Sequence, residues 1–317
     1  MTRIVRLAAV SYAPPARDHS KGVDLSALRK IVVEVARDKP NFICFPEICA
    51  CSGPLAKMKA FAPAIEPFAE AVGTIAKEVG INLVVPLLEH YAGQVYNSVP
   101  IVDRTGKLVM VYRKNYPTPG ELEAGIAPGW EVPVAECDGV RVGSAVCFDV
   151  NFPQVAAELE RQRARLVFWP SMFWGGQLLQ HWALRYGFTI VVAYGAESAV
   201  IDMDGRYLVR QGAETHQVRG NRLPPWAVAE VNLDRELFHL DDNQRQFPAI
   251  LAKYGPTVEI EVHQPEAFFL LTSRKEGVSV EQLAREFSLK TLRDYMAESV
   301  RLREEHLRAH PTKKDRP

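Results

Sequence analysis

The stretch Val140-Arg-Val-Gly-Ser-Ala-Val-Cys-Phe-Asp-Val-Asn-Phe-Pro153 joins an apolar strand pattern directly to the start of a predicted helix. Val140–Phe148 reads as a strand, and Asn151-Phe-Pro153 is typical of a helix start because proline is favoured in the first turn. Cys147 lies at the junction, where a sharp turn would expose its thiol. A helix N-terminus aimed at that thiol favours the thiolate, although most strand cysteines are simply buried.

Strand and helix patterns alternate on both sides of this junction. Hairpin patterns cross the turns at Asp103–Gly106 and Asp138-Gly139, and Asp24 is a candidate cap for an amphipathic helix that follows it. Strands that pair as hairpins and also alternate with helices indicate an α/β sandwich with helices on its outer faces. Further predicted strands are Ile4–Val10, Asn41–Pro46, Ile81–Leu87, Leu166–Pro170, Thr189–Tyr194, Ala199–Ile201 and Ala227–Leu233, and further predicted helices are Ile65–Val79, Phe152–Arg165 and Gln177–Tyr186.

The character of the chain changes after about residue 235. Residues 1–235 form one predicted core domain, and residues 236–317 form a C-terminal extension. Within the extension, Thr257–Val262 and Ala267–Leu271 predict a short hairpin, and Val280–His306 is strongly helical and highly charged. We expect this extension to contact a neighbouring subunit in a homo-oligomer.

Composition excludes several classes of protein. The 317 residues are 47% hydrophobic and 24% charged, which are ordinary values for a globular chain. Lys+Arg 38 equals Asp+Glu 38, so no overall charge attracts nucleic acid or an anionic membrane. No apolar run approaches the roughly 18–20 residues that span a bilayer. Five cysteines without paired spacing predict neither a disulfide framework nor a metal site, and they favour a reducing cytoplasm.

Two further strand ends carry groups that could act with a thiol. Glu47 follows a buried strand in Phe45-Pro46-Glu47, and Lys114 ends a hairpin strand in Tyr112-Arg113-Lys114. Either group alone is more often a solvated surface residue. A thiol nucleophile, however, needs a base and a cation to stabilise the developing oxyanion, and this pair supplies both without histidine. Because α/β folds gather their sites at the carboxyl ends of strands, we expect Glu47, Lys114 and Cys147 to converge.

These three blocks resemble the signature of the nitrilase superfamily of carbon–nitrogen hydrolases. Their order matches, as do the separations of 67 residues from Glu47 to Lys114 and 33 from Lys114 to Cys147. The resemblance covers roughly residues 4–235. It implies an α-β-β-α sandwich that packs as homodimers or larger assemblies, and a Glu–Lys–Cys catalytic set that uses no metal and no organic cofactor.

The resemblance also implies a role for each site residue. Glu47 would be the general base, Lys114 would stabilise the tetrahedral intermediate and Cys147 would be the nucleophile. Many members carry a fourth catalytic residue, a glutamate a few positions past the lysine. Glu121 is the preferred candidate for this role, and Glu123 is the rival because the loop varies among members.

The residues around the nucleophile indicate the kind of substrate. Cys147-Phe148-Asp149 resembles the amidase-like branch, whereas true nitrilases usually show Cys-Trp-Glu. Asn151 stands where many amidase-like relatives have arginine, and Lys114-Asn-Tyr-Pro-Thr118 is closer to nitrilases. We therefore expect hydrolysis of a small amide to acid plus ammonia or amine. Hydrolysis of a nitrile, and N-acyl transfer by the same cysteine chemistry, are the alternatives.

The predicted substrate-binding residues are Phe148, Asp149, Phe173 and Trp174. The segment Phe168–Gly176, which should lie beside the nucleophile, carries aromatic residues and glycines in place of the arginines that clamp a carboxylate. This composition favours a neutral or aromatic acyl group, although the same aromatic residues could simply pack in the core or at a subunit interface.

The C-terminal helices offer one alternative outside enzymology. The segment Val280–Arg293 weakly mimics a helix-turn-helix, but Glu281, Glu286 and Asp294 interrupt the basic face that DNA binding requires. The pattern favours an amphipathic arm that packs on a neighbouring subunit or covers the site, with DNA binding as a distant alternative.

Overall fold

The computed structural model describes residues 4–11, 25–51, 55–212, 217–218, 221–222 and 225–310. The predicted helix cap Asp24 lies outside these residues. The chain forms two compact units, Met1–Val231 and Asn232–Pro317.

The strands of the first unit follow the predicted order along the chain, and several are shorter than their apolar patterns. They are β1 (Ile4–Val10), β2 (Phe42–Cys44), β3 (Asn82–Val84), β4 (Leu87–Tyr91), β5 (Gln94–Val102), β6 (Leu108–Arg113), β7 (Ile126–Ala127), β8 (Val134–Cys137), β9 (Val140–Ser144), β10 (Leu166–Ser171), β11 (Thr189–Tyr194), β12 (Glu197–Ile201), β13 (Tyr207–Gly212), β14 (Gln217–Val218), β15 (Asn221–Arg222) and β16 (Trp226–Asn232). The helices are α1 (Ser26–Val35), α2 (Leu55–Ala60), α3 (Ile65–Val79), α4 (Pro119–Glu123), α5 (Pro153–Arg161) and α6 (Gln177–Tyr186).

Two mixed sheets form the centre of this unit. The first runs in the order β16-β1-β2-β3-β5-β4, with β6 and β7 also paired to β5, and the second runs β13-β12-β11-β10-β9-β8. Strands β1, β2 and β3 are parallel to one another, as are β9, β10 and β11. Parallel strands end at the same edge of a sheet, so the residues after β2 and after β9 are brought to sheet edges where sites form.

The two sheets face each other, and the helices cover their outer faces. Phe42 of β2 contacts Phe168 of β10 across the interface, with ring centroids 5.4 Å apart. The Ser11 and Ser198 hydroxyls share a buried hydrogen bond of 2.9 Å across the same interface. Helices α1 and α3 pack on the first sheet, and α5 and α6 pack on the second. This four-layer arrangement confirms the predicted α-β-β-α sandwich.

Helix α3 shows how the local sequence produces one of these layers. Its apolar residues recur at helical spacing and are buried against the first sheet, which stabilises the fold by about 1.5–3 kcal/mol for each large side chain. Gly80 ends the helix in a left-handed conformation, with φ of 69°. Gly73 lets the helix approach the β5–β6 hairpin, because a Cβ there would lie 2.4 Å from the Gly106 carbonyl oxygen.

The second unit has a small sheet and a core of its own. Its elements are β17 (Arg235–His239), α7 (Phe247–Tyr254), β18 (Val258–His263), β19 (Phe268–Ser273), α8 (Val280–Glu286) and α9 (Leu292–Ala309). Strand β19 lies between β17 and β18, so the predicted hairpin is present and gains a third strand. The core includes Phe238, Ile250, Phe269 and Leu283.

The charged segment Val280–His306 forms two helices. A capping box at Ser279 begins α8, and the chain then turns through Ser288, whose φ is 51°. Thr291 begins α9 by accepting a hydrogen bond from the Asp294 backbone. Among the described residues, no helix combines the length and the apolar character that crossing a bilayer requires.

Candidate active site

Four of the predicted site residues lie together in the first unit. Glu47 follows β2, Lys114 follows β6, Cys147 follows β9 and Glu121 lies in α4. Glu47, Lys114 and Cys147 are all buried, although Glu47 and Cys147 stand in turns and Lys114 directly follows a strand. Buried charges are costly unless they are paired, so the contacts among these residues decide what the site can do.

Lys114 is the centre of the cluster. Its ammonium donates to Glu47 Oε1 at 2.9 Å and to Glu121 Oε2 at 2.7 Å, and its side chain is 1% exposed. Burial alone would lower the pKa of Lys114, but the charges of Glu47, Cys147 and Glu121 outweigh it and raise that pKa above its usual value. Lys114 therefore stays protonated and acts as a donor.

Glu121 reaches Lys114 because of the way α4 begins. The Thr118 hydroxyl accepts from the Glu121 backbone, and the Thr118 backbone donates to Glu121 Oε2 at 2.8 Å, which forms a capping box. Burial would raise the pKa of Glu121, but the Lys114 charge and several hydrogen bonds lower it. Glu123, the rival candidate, is exposed at the end of the same helix. The structure thus brings Glu121, and not Glu123, into the cluster.

Cys147 heads a short 3-10 helix, Cys147–Asn151, with φ of 49°. A residue with a side chain rarely adopts this conformation, and strain of this kind is concentrated at functional sites. Burial and the neighbouring Glu47 carboxylate raise the pKa of the thiol to about 12, although Lys114 and the Met172 backbone N–H act in the opposite direction. Burial and the Glu47 carboxylate thus favour the protonated thiol, whereas the helix N-terminus favours the thiolate. The helix N-terminus does not overcome the loss of solvation and the nearby negative charge.

Asp149, a predicted substrate-binding residue, is fully buried and bonded to protein groups. Its carboxylate accepts from the Tyr112 hydroxyl at 2.7 Å and from the backbone N–H groups of Val146 and Tyr116, each at 2.8 Å. Burial raises the pKa of Asp149 to about 6 against these hydrogen bonds. Asp149 therefore ties the two segments that flank Lys114 to the turn that carries Cys147, which is a positioning role.

Phe148, another predicted substrate-binding residue, is half-buried and packs edge-to-face on Phe152, with ring centroids 5.5 Å apart. Phe152 in turn stacks on Tyr116 at 3.8 Å. The ring of Phe148 therefore belongs to an aromatic group that extends from the Cys147 turn to the segment after Lys114.

Phe173 and Trp174 follow β10 on the segment whose Met172 backbone contacts the Cys147 thiol. Phe173 packs edge-to-face on Trp169 at 5.4 Å, and Trp174 stacks on Tyr207 of β13 at 5.9 Å. Both rings are partly buried and have packing partners, which agrees with the core-packing alternative for their role. Met172, which sequence reasoning did not select, is 63% exposed, and its backbone N–H contacts the Cys147 thiol.

Asn97 on β5 is the second residue that sequence reasoning missed. Its side-chain amide donates to Glu47 Oε1 at 2.8 Å and to Glu121 Oε1 at 3.0 Å. The available signal was the polar pair Asn97-Ser98 in the middle of an otherwise apolar strand pattern. Both of these residues are buried.

Comparison with known proteins identifies the family. The sequence profile of the Carbon-nitrogen hydrolase family matches residues 6–235. A hydrolase of Schizosaccharomyces pombe is 26% identical over 57% of this chain and 59% of its own length, and the omega-amidase NIT2 of Xenopus tropicalis is 25% identical over 52% and 63%. The chain thus spans less than two thirds of the length of these curated relatives.

A solved structure shows the same fold. The crystal structure of an amidase from Nesterenkonia sp. superposes with a TM-score of 0.62 at 21% identity, covering 80% of this chain and 97% of that one. The matched residues 6–235 begin within the first strand, end at Arg235 and include Glu47, Lys114 and Cys147. The chain is therefore a member of the carbon–nitrogen hydrolase family.

Proposed function

We propose that the protein hydrolyses the carbon–nitrogen bond of a small neutral amide through a thioester on Cys147. The observation that carries this proposal is the buried Lys114 ammonium, held by two carboxylates next to a protonated thiol. Structural ion pairs do not usually enclose a strained cysteine. A nucleophile, a base and a fixed cation in one buried cluster are the requirements of acyl transfer.

Attack begins from the protonated thiol. Glu47 Oε1 accepts from both Lys114 and Asn97, whereas Oε2 is buried and accepts from no nitrogen or oxygen donor of the described residues. Oε2 is thus available to take the thiol proton as Sγ forms its bond to the carbonyl carbon. Because the thiol pKa is about 12, proton removal is coupled to bond formation and no standing thiolate is required.

The negative charge that develops on the carbonyl oxygen needs donors in place beforehand. Lys114 has three N–H bonds, of which two point to Glu47 and Glu121. The third is available to the oxyanion, together with the backbone N–H of Phe148. Each donor of this kind typically lowers the barrier by about 3–4 kcal/mol.

The intermediate then collapses and the enzyme is regenerated. The carbon–nitrogen bond breaks as protonated Glu47 gives its proton to the leaving nitrogen, which departs as ammonia or an amine. Water attacks the thioester, Glu47 takes a proton from it, and Sγ leaves as a thiol after receiving that proton. Glu121 stays charged throughout, because its lowered pKa favours the carboxylate.

The charges near the nucleophile favour a neutral acyl group. Two carboxylates, one ammonium and a protonated thiol give the cluster a net charge of −1. A carboxylate on the acyl group close to the reacting carbon would be repelled, since like charges a few ångströms apart interact strongly in a buried site. The aromatic rings of Phe148 and Phe173 supply apolar surface near the cluster.

The test is intact-protein mass spectrometry on the wild type and on Cys147→Ala, incubated with a panel of small amides and nitriles while ammonia is measured. We expect an acyl adduct on the wild type alone and ammonia from amides. Ammonia from nitriles only would replace the proposal with nitrile hydrolysis, and an adduct discharged only by added amine would replace it with acyl transfer. Turnover by the Cys147→Ala variant would refute the mechanism.

The cytoplasmic location and the homo-oligomeric state remain predictions.

A further inference from the structure

Strand β5 carries two neighbouring buried polar residues, Asn97 and Ser98. Successive side chains of a strand point to opposite faces of its sheet. Ser98 donates to Glu89 Oε2 at 2.6 Å on one face, and Asn97 contacts Glu47 and Glu121 on the other. Burying an asparagine side chain in a strand costs free energy unless its polar atoms are hydrogen-bonded, so we ask what the hydrogen bonds of Asn97 do.

Asn97 closes a ring of hydrogen bonds with the proposed catalytic groups. One amide nitrogen donates both of its hydrogens to carboxylates, at 2.8 Å to Glu47 Oε1 and at 3.0 Å to Glu121 Oε1. Lys114 donates to the same two carboxylates from the other side. The backbone carbonyl of Asn97 accepts from the Lys114 backbone N–H at 2.8 Å, which any residue at this position of β5 could do, and the side-chain Oδ1 of Asn97 is buried with no hydrogen-bond partner among the described residues. The side chain of Asn97 therefore acts on the cluster through its amide nitrogen.

This ring decides which oxygen of Glu47 can take a proton. The last torsion of a glutamate is soft, so Lys114 alone could bind either carboxylate oxygen. With Asn97 and Lys114 both donating to Oε1, the carboxylate is held in one orientation and Oε2 is left without a donor among the described nitrogen and oxygen groups. The Cys147 thiol contacts the Glu47 carboxylate, and Oε2 is the oxygen that is left to take its proton.

There is also an electrostatic reason for an uncharged side chain such as asparagine at position 97. Glu47 and Glu121 lie close enough to share one amide nitrogen as acceptors, so their like charges repel each other. The hydrogen bond from Asn97 helps to lower the pKa of Glu121. A cationic side chain at position 97 would also lower the pKa of Glu121, but it would cancel the negative charge that makes Glu47 a proton acceptor.

We propose that Asn97 is a positioning residue that orients Glu47 toward the nucleophile and holds Glu47 and Glu121 in place beside Lys114. This inference rests on the proposed function, since it assigns Asn97 to the same site. Asn97 acts through Glu47 and Glu121 and takes no part in bond making. Its removal should therefore reduce kcat far more than it changes KM.

The experiment compares four proteins: the wild type, Asn97→Leu, Asn97→Ser and the matched control Ser98→Ala. Asn97→Leu removes both donors at similar volume, and Asn97→Ser is the variant to use if the leucine variant does not fold. Ser98→Ala removes an equally buried hydrogen bond to a carboxylate on the opposite face of the same strand. Thermal unfolding of all four measures the structural cost of each change.

Two kinetic measurements follow, each over a range of pH. The first is kcat and KM for the best amide of the panel, and the second is alkylation of Cys147 by iodoacetamide, located by peptide mass spectrometry. We expect Asn97→Leu to lower kcat and the alkylation rate by about 10- to 100-fold, the size of effect that misplacement of a reacting group produces. The acid limb of both profiles should move to higher pH, because Glu121 loses a hydrogen bond that lowers its pKa.

The outcomes separate this inference from the proposed function. A folded Asn97→Leu or Asn97→Ser protein with the rate and pH profile of the wild type would overturn the positioning role, as would equal losses in Ser98→Ala. If the wild type turns over no amide but its Cys147 alkylation still slows in Asn97→Leu and in Glu47→Gln, the positioning role holds and the substrate assignment fails. If Glu47→Gln leaves alkylation unchanged, both are refuted.

Discussion

The two faces of the β5–β6 pair carry two ion clusters that differ in their carboxylate acceptors. On one face, Arg113 donates two hydrogen bonds of 2.9 and 2.6 Å to the Glu89 carboxylate, and the Ser98 hydroxyl donates a third. On the other face, Lys114 binds Glu47 and Glu121. The cations are consecutive in sequence, and both clusters include one polar side chain from β5.

The difference lies in the acceptors that remain. Arg113 meets a single carboxylate in a bidentate pair and lies 4.0 Å from the centroid of Tyr91, so the planar group is well satisfied. Lys114 has two carboxylates, and Glu47 Oε2 stays without a nitrogen or oxygen donor among the described residues. A satisfied cluster stabilises the fold, whereas a cluster with a spare acceptor beside a thiol can move a proton.

The largest expected effect comes from removing each cation in turn. Lys114→Met should lower kcat by more than about a thousandfold, because one oxyanion donor alone is worth about 10²–10³ and Glu47 also loses its partner. Arg113→Met should keep kcat within about tenfold of the wild type. Lys114→Met removes the cation from Glu47 and Glu121, and Arg113→Met removes it from Glu89, so each variant should lose about 3–5 kcal/mol in the free energy of unfolding, measured by urea titration. Equal kinetic losses in the two variants would break the comparison.

The next effect tests whether the second carboxylate on Lys114 matters. Glu121→Gln keeps the shape of the side chain but removes the charge, so it should lower kcat by about 100-fold, with Lys114 less well held against the oxyanion. Glu123→Gln is the control, since Glu123 is exposed on the same short helix. Steady-state kinetics at constant pH measures both variants. A larger loss in Glu123→Gln would restore the rival assignment.

The smallest effect concerns the pH dependence of stability. The pKa of Asp149 is about 6 in the folded protein and about 4 in an unfolded chain, so the folded state holds the proton more tightly. The stability that Asp149 contributes is present below pH 4 and is lost as pH rises to 6, by about 2–3 kcal/mol. The difference in unfolding free energy between the wild type and Asp149→Asn should decrease over this interval. A difference that is constant with pH would contradict the raised pKa.

Much of the fold could be predicted because it depends on local periodicity. The helix Gln177–Tyr186 and the strands Ile4–Val10 and Thr189–Tyr194 have the predicted bounds, since their apolar residues repeat with the period of one element only. The segment Val280–His306 was predicted to be helical and forms two helices, and the position of the break between them was not predicted because the left-handed turn at Ser288 has no signal in the hydrophobic pattern. Strand β17 (Arg235–His239) was missed, since its charged residues obscure the alternation.

By itself, the sequence determined the α/β sandwich and the three strand ends that carry Glu47, Lys114 and Cys147, because periodicity and strand–turn junctions are local properties. The tertiary structure alone decided that burial and Glu47 raise the pKa of the Cys147 thiol and that Asn97 belongs to the cluster. The pKa of a thiol depends on burial and on charges brought from distant parts of the chain, and Glu47 is 100 residues away from Cys147. Hydrogen-bond partners and electrostatic fields are set by the packed arrangement of the chain, which no single stretch of sequence contains.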